Sequence, residues 1–188
     1  MDATLSTGGY NRIMSSRNNG FDSLIVAADQ ALRTLTAPSA ALQSSPAAQV
    51  ADSVLNTKDR RTSIELMRVN HAGEISAQAL YRGQSILARS PDTKRHLLQA
   101  VSEEQDHLAW CSERLTELGG RPSLLDPLWY AGSFLVGLVA GAAGDNISLG
   151  FVTETERQVE AHLQDHLSRL PESDAKSISI LKRSSTTV

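Results

Sequence analysis

The sequence is poor in cysteine and in aromatic residues, and it carries no strong excess of charge. Its single cysteine, Cys111, excludes an intrachain disulfide framework and favours a reducing compartment. The formal net charge of -3 comes from interspersed acids and bases, so no nucleic-acid surface is indicated. Aromatic residues make up only 4% of the chain, whereas Ala, Leu, Glu and Gln, which favour helices, are frequent. The 188 residues suit one domain with a sizeable core.

The first 20 residues lack the apolar run of a secretory signal. They are polar and rich in Ser, Asn and Gly, which predicts a disordered N-terminus. Arg12 and Arg17, with Ser-rich flanks, faintly resemble a transit peptide, but disorder is the favoured interpretation. The chain is therefore expected to be cytosolic or to face the cytosol.

The remainder predicts an all-α fold, with one helical domain over residues 21–181. No strand alternation and no repeat occurs in the sequence. A loose Ala/Ser/Pro-rich linker is expected at 36–61. A last helix is expected to begin at Ser173 and to dissolve into an aberrant tail at 182–188. The main helices are predicted at 21–35, 62–89, 92–118, 128–144 and 147–170. Asp22 is the expected N-cap of the first, and prolines and a Gly-Gly pair mark the ends of later helices. Long helices joined by short loops predict a bundle.

A Glu-x-x-His motif lies on the apolar stripe of the second long helix. Glu104 falls on the stripe and His107 lies beside it one turn later, whereas Glu103 falls on the opposite, solvated face with Asp106. A glutamate and a histidine at this spacing can point at one metal ion. Taken alone, the motif fits a surface glutamate beside a partly buried histidine at least as well. The stripe consists of Leu97, Val101, Leu108, Cys111, Leu115 and Leu118.

Two other helices also carry a glutamate on the apolar stripe. Glu74 lies in the middle of the stripe of the first long helix, and Glu156 interrupts the stripe of the helix at 147–170. The neighbouring Glu154 falls on the polar face instead. Glu160 and His162 are left open as groups that support a ligand.

Three carboxylates on the inward faces of three helices favour a metal site over a satisfied polar core. A buried ionised carboxylate is costly unless it is paired or bound to a cation, and few Lys or Arg share these stripes. Carboxylates and imidazole with open positions suit non-haem iron that binds O₂. The di-iron pattern of helical bundles, however, requires a second Glu-x-x-His, and the sequence contains only one.

Three segments carry a resemblance to a known family. They are ELMRVNHAGEISAQALYRGQ at 65–84, EEQDHLAWCSERLTELGGRPS at 103–123 and ETERQVEAHLQDHL at 154–167. They resemble the 3-demethoxyubiquinol 3-hydroxylase family, the di-iron enzymes of ubiquinone biosynthesis, and its bacterial branch most of all. FDSLIVAADQALRTL at 21–35 resembles the N-terminal helix of that branch. The resemblance implies a ferritin-like di-iron carboxylate bundle over roughly 21–181.

Carried over residue by residue, the family's iron ligands fall on Glu74, Glu104, His107 and Glu156, the positions that the stripes also select. No catalytic residue beyond these ligands is implied, and two iron ions per site are expected. The family's remaining Glu and His belong on a final helix, at positions beyond residue 187. The sequence therefore predicts a bundle lacking most of its last helix, an end that resembles a frameshift or premature stop, and an impaired metal site.

The resemblance implies an O₂-dependent monooxygenase that hydroxylates a demethoxy-polyprenyl benzoquinol before a separate methyltransferase acts. Two alternatives stay open. One is a ferritin-like iron-binding protein without hydroxylase activity, and the other is a non-catalytic remnant retained as a membrane or complex partner. Self-association or membership of a biosynthetic complex is compatible with each of them.

The uncharged stretch at 128–144 has three interpretations. It is barely long enough to span a bilayer, and its glycines reduce its hydrophobicity, so a spanning helix is the least favoured. A buried helix would use Gly137 and Gly141 for close packing. A polyprenyl quinone resides in lipid, so the resemblance favours a peripheral contact of this stretch with the cytoplasmic side of the cell membrane.

Overall fold

The computed structural model describes residues 20–36 and 41–187, which form six helices joined by loops without any strand. The all-α prediction is confirmed. The N-terminal segment that was predicted to be disordered lies outside the described residues, except for Gly20, which begins the first helix. The helices are α1 Gly20–Thr36, α2 Thr57–Leu87, α3 Pro91–Glu117, α4 Asp126–Ala142, α5 Asp145–Arg169 and α6 Ala175–Thr187.

Local sequence signals account for the ends of the two longest helices. The Asn56 side chain accepts a hydrogen bond from the backbone N–H of Asp59 at 2.9 Å and so caps α2. Ser90 caps α3, and Pro91 occupies its first turn, where a missing N–H costs nothing. Gly119 ends α3 in a left-handed conformation, with φ of 76°, that glycine adopts without strain.

The structure corrects three predicted boundaries. Helix α1 begins at Gly20, so Asp22 lies inside it and is not its N-cap. Helix α2 begins at Thr57, which shortens the predicted linker because the Asn56 cap lies upstream of the apolar pattern. The predicted tail at 182–188 is helical as far as Thr187. Its helix continues because Leu181 and Ser184 are buried against the bundle, which outweighs the weak helical propensity of this segment.

Helix α2 is the central element of the bundle. It packs along α3 and α4, while α6 contacts α3 and α5. The largest buried cluster joins α2, α3, α5 and α6 and includes Leu66, Met67, Trp110, Cys111, Leu115, Leu163, Ile180 and Leu181. Burying one such aliphatic side chain contributes about 1.5–3 kcal/mol. The start of α6 is also held by Asp174, whose Oδ1 lies 2.8 Å from Nη2 of the buried Arg114 on α3.

Helix α4 approaches α2 closely because glycines line the contact. A Cβ atom on Gly137 would lie 2.2 Å from the carbonyl oxygen of Leu80, and one on Gly83 would lie 2.4 Å from that of Phe134. Gly141 is similarly close to the backbone of α2. The close packing expected for Gly137 and Gly141 is therefore confirmed.

The other face of α4 is exposed. Leu128, Trp129, Leu135, Val136 and Val139 all present substantial apolar surface there. The stretch at 128–144 is thus half buried, which differs from a fully buried helix. In the described part of the chain, no helix combines the length and the apolarity needed to cross a bilayer.

Substitutions of two glycines on α4 are expected to have opposite effects. Gly137→Ala places a methyl group against the backbone of α2 and should lower the free energy of unfolding by about 1–3 kcal/mol or more. Gly132→Ala meets no atom within 4 Å and should raise it by roughly 0.5–1 kcal/mol, because alanine favours the helix. Urea unfolding followed by circular dichroism measures both. Equal shifts in the two variants would contradict the close contact.

Candidate metal centre

Two glutamates and one histidine converge between α2 and α3. Glu74 lies on α2, and Glu104 and His107 lie one turn apart on α3. One ligand atom from each of the three lies within 4.8 Å of the other two. His107 Nδ1 is 3.3 Å from Glu104 Oε2 and 4.0 Å from Glu74 Oε2. The structure thus brings together three of the residues that the sequence predicts as ligands.

The pKa values of the two carboxyl groups are shifted in opposite directions. Burial raises the pKa of Glu74, and the charge of Glu104 and the hydrogen bond to it raise that pKa further. Burial also acts to raise the pKa of Glu104, but hydrogen bonds with Glu74 and His107 outweigh it and lower that pKa. Glu74 therefore donates a hydrogen bond to an ionised Glu104. Within residues 20–36 and 41–187, no Lys or Arg forms an ion pair with either carboxylate.

Glu156 on α5 faces the same cavity without joining this cluster. The cavity has a volume of about 450 Å³, and Glu74, Glu104 and Glu156 all line it. The pKa of Glu156 is raised by burial and by the charges of Glu104 and Glu103, against an opposing effect of His96. The charge of Glu156 is thus felt across the cavity by Glu104.

Tyr81 of α2 also lines this cavity and is 2% exposed. Burial raises the pKa of its phenol, and the charges of Glu104, Glu156 and Glu74 raise it further. The phenol therefore remains protonated and faces all three carboxylates. The sequence contains no motif that marks Tyr81 as a residue of this cavity.

The phase of the apolar stripes distinguishes neighbouring glutamates as predicted. Glu103 accepts a hydrogen bond from Gln99 at 3.0 Å on the exposed side of α3. Glu154 is exposed and pairs with Arg157 at 2.8 Å. Glu160 is exposed and is not among the residues that line the cavity.

The prediction that Asp106 lies on a solvated face is wrong. Asp106 is 3% exposed, because the loop after residue 40 folds over α3. There its carboxylate accepts hydrogen bonds from the backbone N–H groups of Leu42 and Gln43. Helical phase places the residue correctly relative to α3 but contains no information about a loop that covers it.

Two buried polar contacts near Glu74 were not predicted. His71 Nδ1 lies 3.5 Å from Asp126 Oδ2, and this contact joins α2 to the first turn of α4. His166 Nδ1 lies 3.1 Å from Asn70 Oδ1 and joins α5 to α2. The ring of His162 packs against that of His166 with centroids 3.9 Å apart and an interplanar angle of 55°. His162 itself lines the cavity. The partners in both contacts are far apart in the sequence, so no motif could indicate them.

Fold and site together define a ferritin-like class of protein, a helical bundle whose inward glutamates and histidine form a candidate metal centre. Residues 61–187 match the family described as ubiquinone biosynthesis protein COQ7. The chain belongs to this family, whose members are di-iron proteins with a ferritin-like helical fold.

Individual relatives are similar over most of the chain. A 3-demethoxyubiquinol 3-hydroxylase of Janthinobacterium sp. (strain Marseille) is 59% identical over 165 residues, which cover 88% of this chain and 79% of the relative. The enzyme of the same name from Legionella pneumophila (strain Corby) is 58% identical over 86% of this chain and 77% of its own length. That of Xylella fastidiosa (strain Temecula1 / ATCC 700964) is 51% identical, with coverage of 97% and 80%.

The donor set of the cluster is suited to iron. Carboxylate oxygens and an imidazole nitrogen are typical ligands of non-haem iron. Two buried carboxylates beside one histidine, with no Lys or Arg paired to them in the described part of the chain, form a local excess of acidic groups. A divalent cation would neutralise that excess and replace the proton. The residues present therefore fit the metal that the family implies.

The neutral ring of His166 is expected to make stability depend on pH. Burial, with a smaller effect of His162, lowers the pKa of His166 to about 4, whereas the unfolded ring titrates near pH ~6.5. The unfolded chain takes up a proton at this ring at a higher pH than the folded protein does. The contribution of the neutral ring to the free energy of unfolding is therefore full above the unfolded pKa and is lost as the pH falls towards about 4. The difference in the free energy of unfolding between wild type and His166→Gln should therefore shrink over this window in urea titrations. A difference that does not change with pH would contradict a neutral buried ring.

Proposed function

We propose that this chain is an O₂-dependent monooxygenase that hydroxylates a demethoxy-polyprenyl benzoquinol in ubiquinone biosynthesis. The observation that carries the proposal is the convergence of Glu74, Glu104 and His107, with both glutamates in the wall of one cavity, in a chain of this family. The relatives named 3-demethoxyubiquinol 3-hydroxylase support the reaction and the substrate class. Iron is the proposed cofactor, with Glu74, Glu104, His107 and Glu156 as its ligands.

The protein's contribution would be to present these ligands from rigid elements. Glu104 and His107 project from adjacent turns of α3, and Glu74 faces them from the central helix α2. Burial beside Glu104 raises the pKa of Glu74, so a cation that binds there would displace the proton of this carboxyl group. Bound iron would supply the O₂ activation that hydroxylation of a quinol ring requires.

The cavity beside the cluster suits an apolar ring with a chain attached. Its walls include Val69, Ala77, Val159 and Leu163, which exclude water from the ligand side chains. A second groove of about 520 Å³ lies between α2, α4 and α5, and it shares Ala77 and Val159 with the first. We propose that the benzoquinol head group occupies the first space and that the polyprenyl chain leaves through the second.

We further propose that the protein contacts the cytoplasmic side of the cell membrane through the exposed face of α4. Leu128, Leu135 and Val139 form an apolar surface there that packing within the bundle does not explain. A polyprenyl quinol is dissolved in lipid, so a peripheral contact would shorten its path into the groove. This localisation rests on exposure and on the chemistry of the proposed substrate.

Removal of the Glu104 carboxylate should weaken iron binding, whereas removal of the neighbouring Glu103 carboxylate should not. Glu104→Ala is expected to reduce the iron retained after anaerobic reconstitution with Fe²⁺ by about tenfold or more, because its carboxylate belongs to the cluster. Glu103→Ala is the matched control, since Glu103 lies on the exposed side of the same turn. Iron is measured by a ferrozine assay after desalting. Equal iron content in the two variants would contradict the ligand assignment.

The same reconstituted protein distinguishes the alternatives that the sequence left open. Incorporation of one ¹⁸O atom from ¹⁸O₂ into a demethoxy-quinol, detected by mass spectrometry, supports the monooxygenase. Oxidation of Fe²⁺ without hydroxylated product supports a ferritin-like iron-binding protein. The impaired site expected from the sequence remains a prediction, and about two irons per chain would contradict it.

The proposed membrane contact predicts that a negative charge on the exposed face of α4 weakens binding to phospholipid vesicles. Leu135→Asp should reduce flotation with vesicles of anionic and zwitterionic phospholipids, because a carboxylate on the outer face of α4 would be desolvated in the interface. Val54→Asp introduces the same charge at an exposed valine in the loop before α2 and should leave flotation unchanged. A loss shared by both variants would indicate a general charge effect and would contradict the assignment to α4.

A further inference from the structure

Helix α5 is held to the bundle by only a few buried side chains. In this helix the buried residues are Ser148, Val152, Leu163 and His166. None of the residues at 153–162 is buried, and Glu156 lies within this stretch. The position of Glu156 therefore depends on contacts made on either side of it along the helix.

Ser148 and His166, the first and the last of these buried residues, form hydrogen bonds to α2. Gln84 Nε2 donates to the carbonyl oxygen of Ser148 at 2.8 Å and to its hydroxyl at 3.0 Å. His166 Nδ1 lies 3.1 Å from Asn70 Oδ1. The amide nitrogen of Asn70 already donates to Leu66, so its oxygen faces His166 and accepts from the ring N–H. Gln84 and Asn70 are 0% and 5% exposed, so water does not compete for these bonds.

The two contacts bracket the candidate metal centre on both helices. On α2, Glu74 lies between Asn70 and Gln84, and on α5, Glu156 lies between Ser148 and His166. The earlier residue of one helix bonds to the later residue of the other, so the helices run antiparallel across the cavity. The hydrogen bonds thus fix the position of α5 along α2, and with it the position of Glu156 relative to Glu74.

Glu156 has little else to hold it in place. Over the described ranges, no hydrogen bond and no ion pair reaches its carboxylate. The charge of His96 favours its ionised form, and the charges of Glu104 and Glu103 oppose it. The apolar anchors Val152 and Leu163 are not directional, and apolar neighbours on α5 could replace them after a shift of the helix. Buried donors and acceptors are directional, and a shift would leave Gln84 and Asn70 without partners in the core.

We propose that Asn70 and Gln84 are positioning residues that set the register of α5 and thereby keep Glu156 facing Glu74 across the cavity. The inference rests on the proposed function insofar as Glu156 is taken as a metal ligand. Neither residue belongs to the cluster of ligand atoms formed by Glu74, Glu104 and His107. Their effect on the metal is exerted through the backbone of α5.

The test compares a variant in which two buried amides of α2 are replaced with a control variant at a third, and Co²⁺ alone is the probe. Asn70→Ala and Gln84→Met, combined in one chain, should weaken Co²⁺ binding about tenfold or more and reduce the intensity of its visible absorption bands. Gln78→Met is the matched control, because Gln78 is 1% exposed on the same helix and bonds to Thr34 of α1 instead of α5. A loss of equal size in the control would overturn the proposal.

A double-mutant cycle with Glu156→Ala separates positioning from general damage. In the Glu156→Ala background, the pair of substitutions should cause no further loss of Co²⁺ affinity, since the residue that they position is gone. Additive losses would show damage to the other ligands and would overturn the proposal. If Glu156→Ala binds Co²⁺ as wild type does, the ligand assignment in the proposed function is wrong at Glu156. If Glu156→Ala weakens binding and the pair does not, only the register proposal fails.

A measurement without metal keeps the proposal testable if the combined variant folds poorly. Amide hydrogen exchange of residues 153–162 should be faster in the single variants Asn70→Ala and Gln84→Met than in Gln78→Met, while α3 keeps its protection. The milder Ser148→Ala, which removes only the hydroxyl acceptor, should lie between them and wild type. Exchange at 153–162 that is the same in all four variants would overturn the proposal.

Discussion

Glu74 and Glu104 lie side by side in the interior of a helical bundle, and most features of this structure follow from that placement. Burial and the charge of Glu104 raise the pKa of Glu74, whereas hydrogen bonds with Glu74 and His107 lower that of Glu104. Such a pair destabilises an apolar core and is retained where it binds something. The adjacent His107 and the facing Glu156 add donors of the kind that suits the iron of the COQ7 family.

Helix α2 connects the parts of the molecule that this site requires. One side of it forms the carboxylate cluster with α3, and another packs against α4 through glycines that allow the two backbones to touch. Its polar residues Asn70 and Gln84 reach α5, and His71 reaches the first turn of α4. The contacts of α2 thus combine a rigid platform for ligands with walls for an apolar cavity. A substitution at one of these contacts is therefore expected to alter the site even where the residue touches no ligand.

The sequence predicted the helices and the inward placement of Glu74 and Glu104 well because both are recorded in local periodicity. The choice of Glu104 over Glu103 needs only the phase of one helix, and a side chain on the apolar stripe faces the core in any bundle. The errors have a different origin. Asp106 is covered by a loop from a distant part of the chain, and the helix at 182–187 persists because Leu181 is buried by other helices. Neither contact is a property of the segment itself.

The amino-acid sequence by itself determined that the chain is helical, which glutamates face inward, and which family it resembles. Only the tertiary structure decided that Glu74, Glu104 and His107 lie within reach of one ion while Glu156 stands across a cavity from them. It also revealed the hydrogen bonds of Gln84 with Ser148 and of Asn70 with His166. The physical reason is that periodicity specifies the face of a helix on which a residue lies. The distance between two faces depends on how side chains from separate helices fill the space and pair their polar groups.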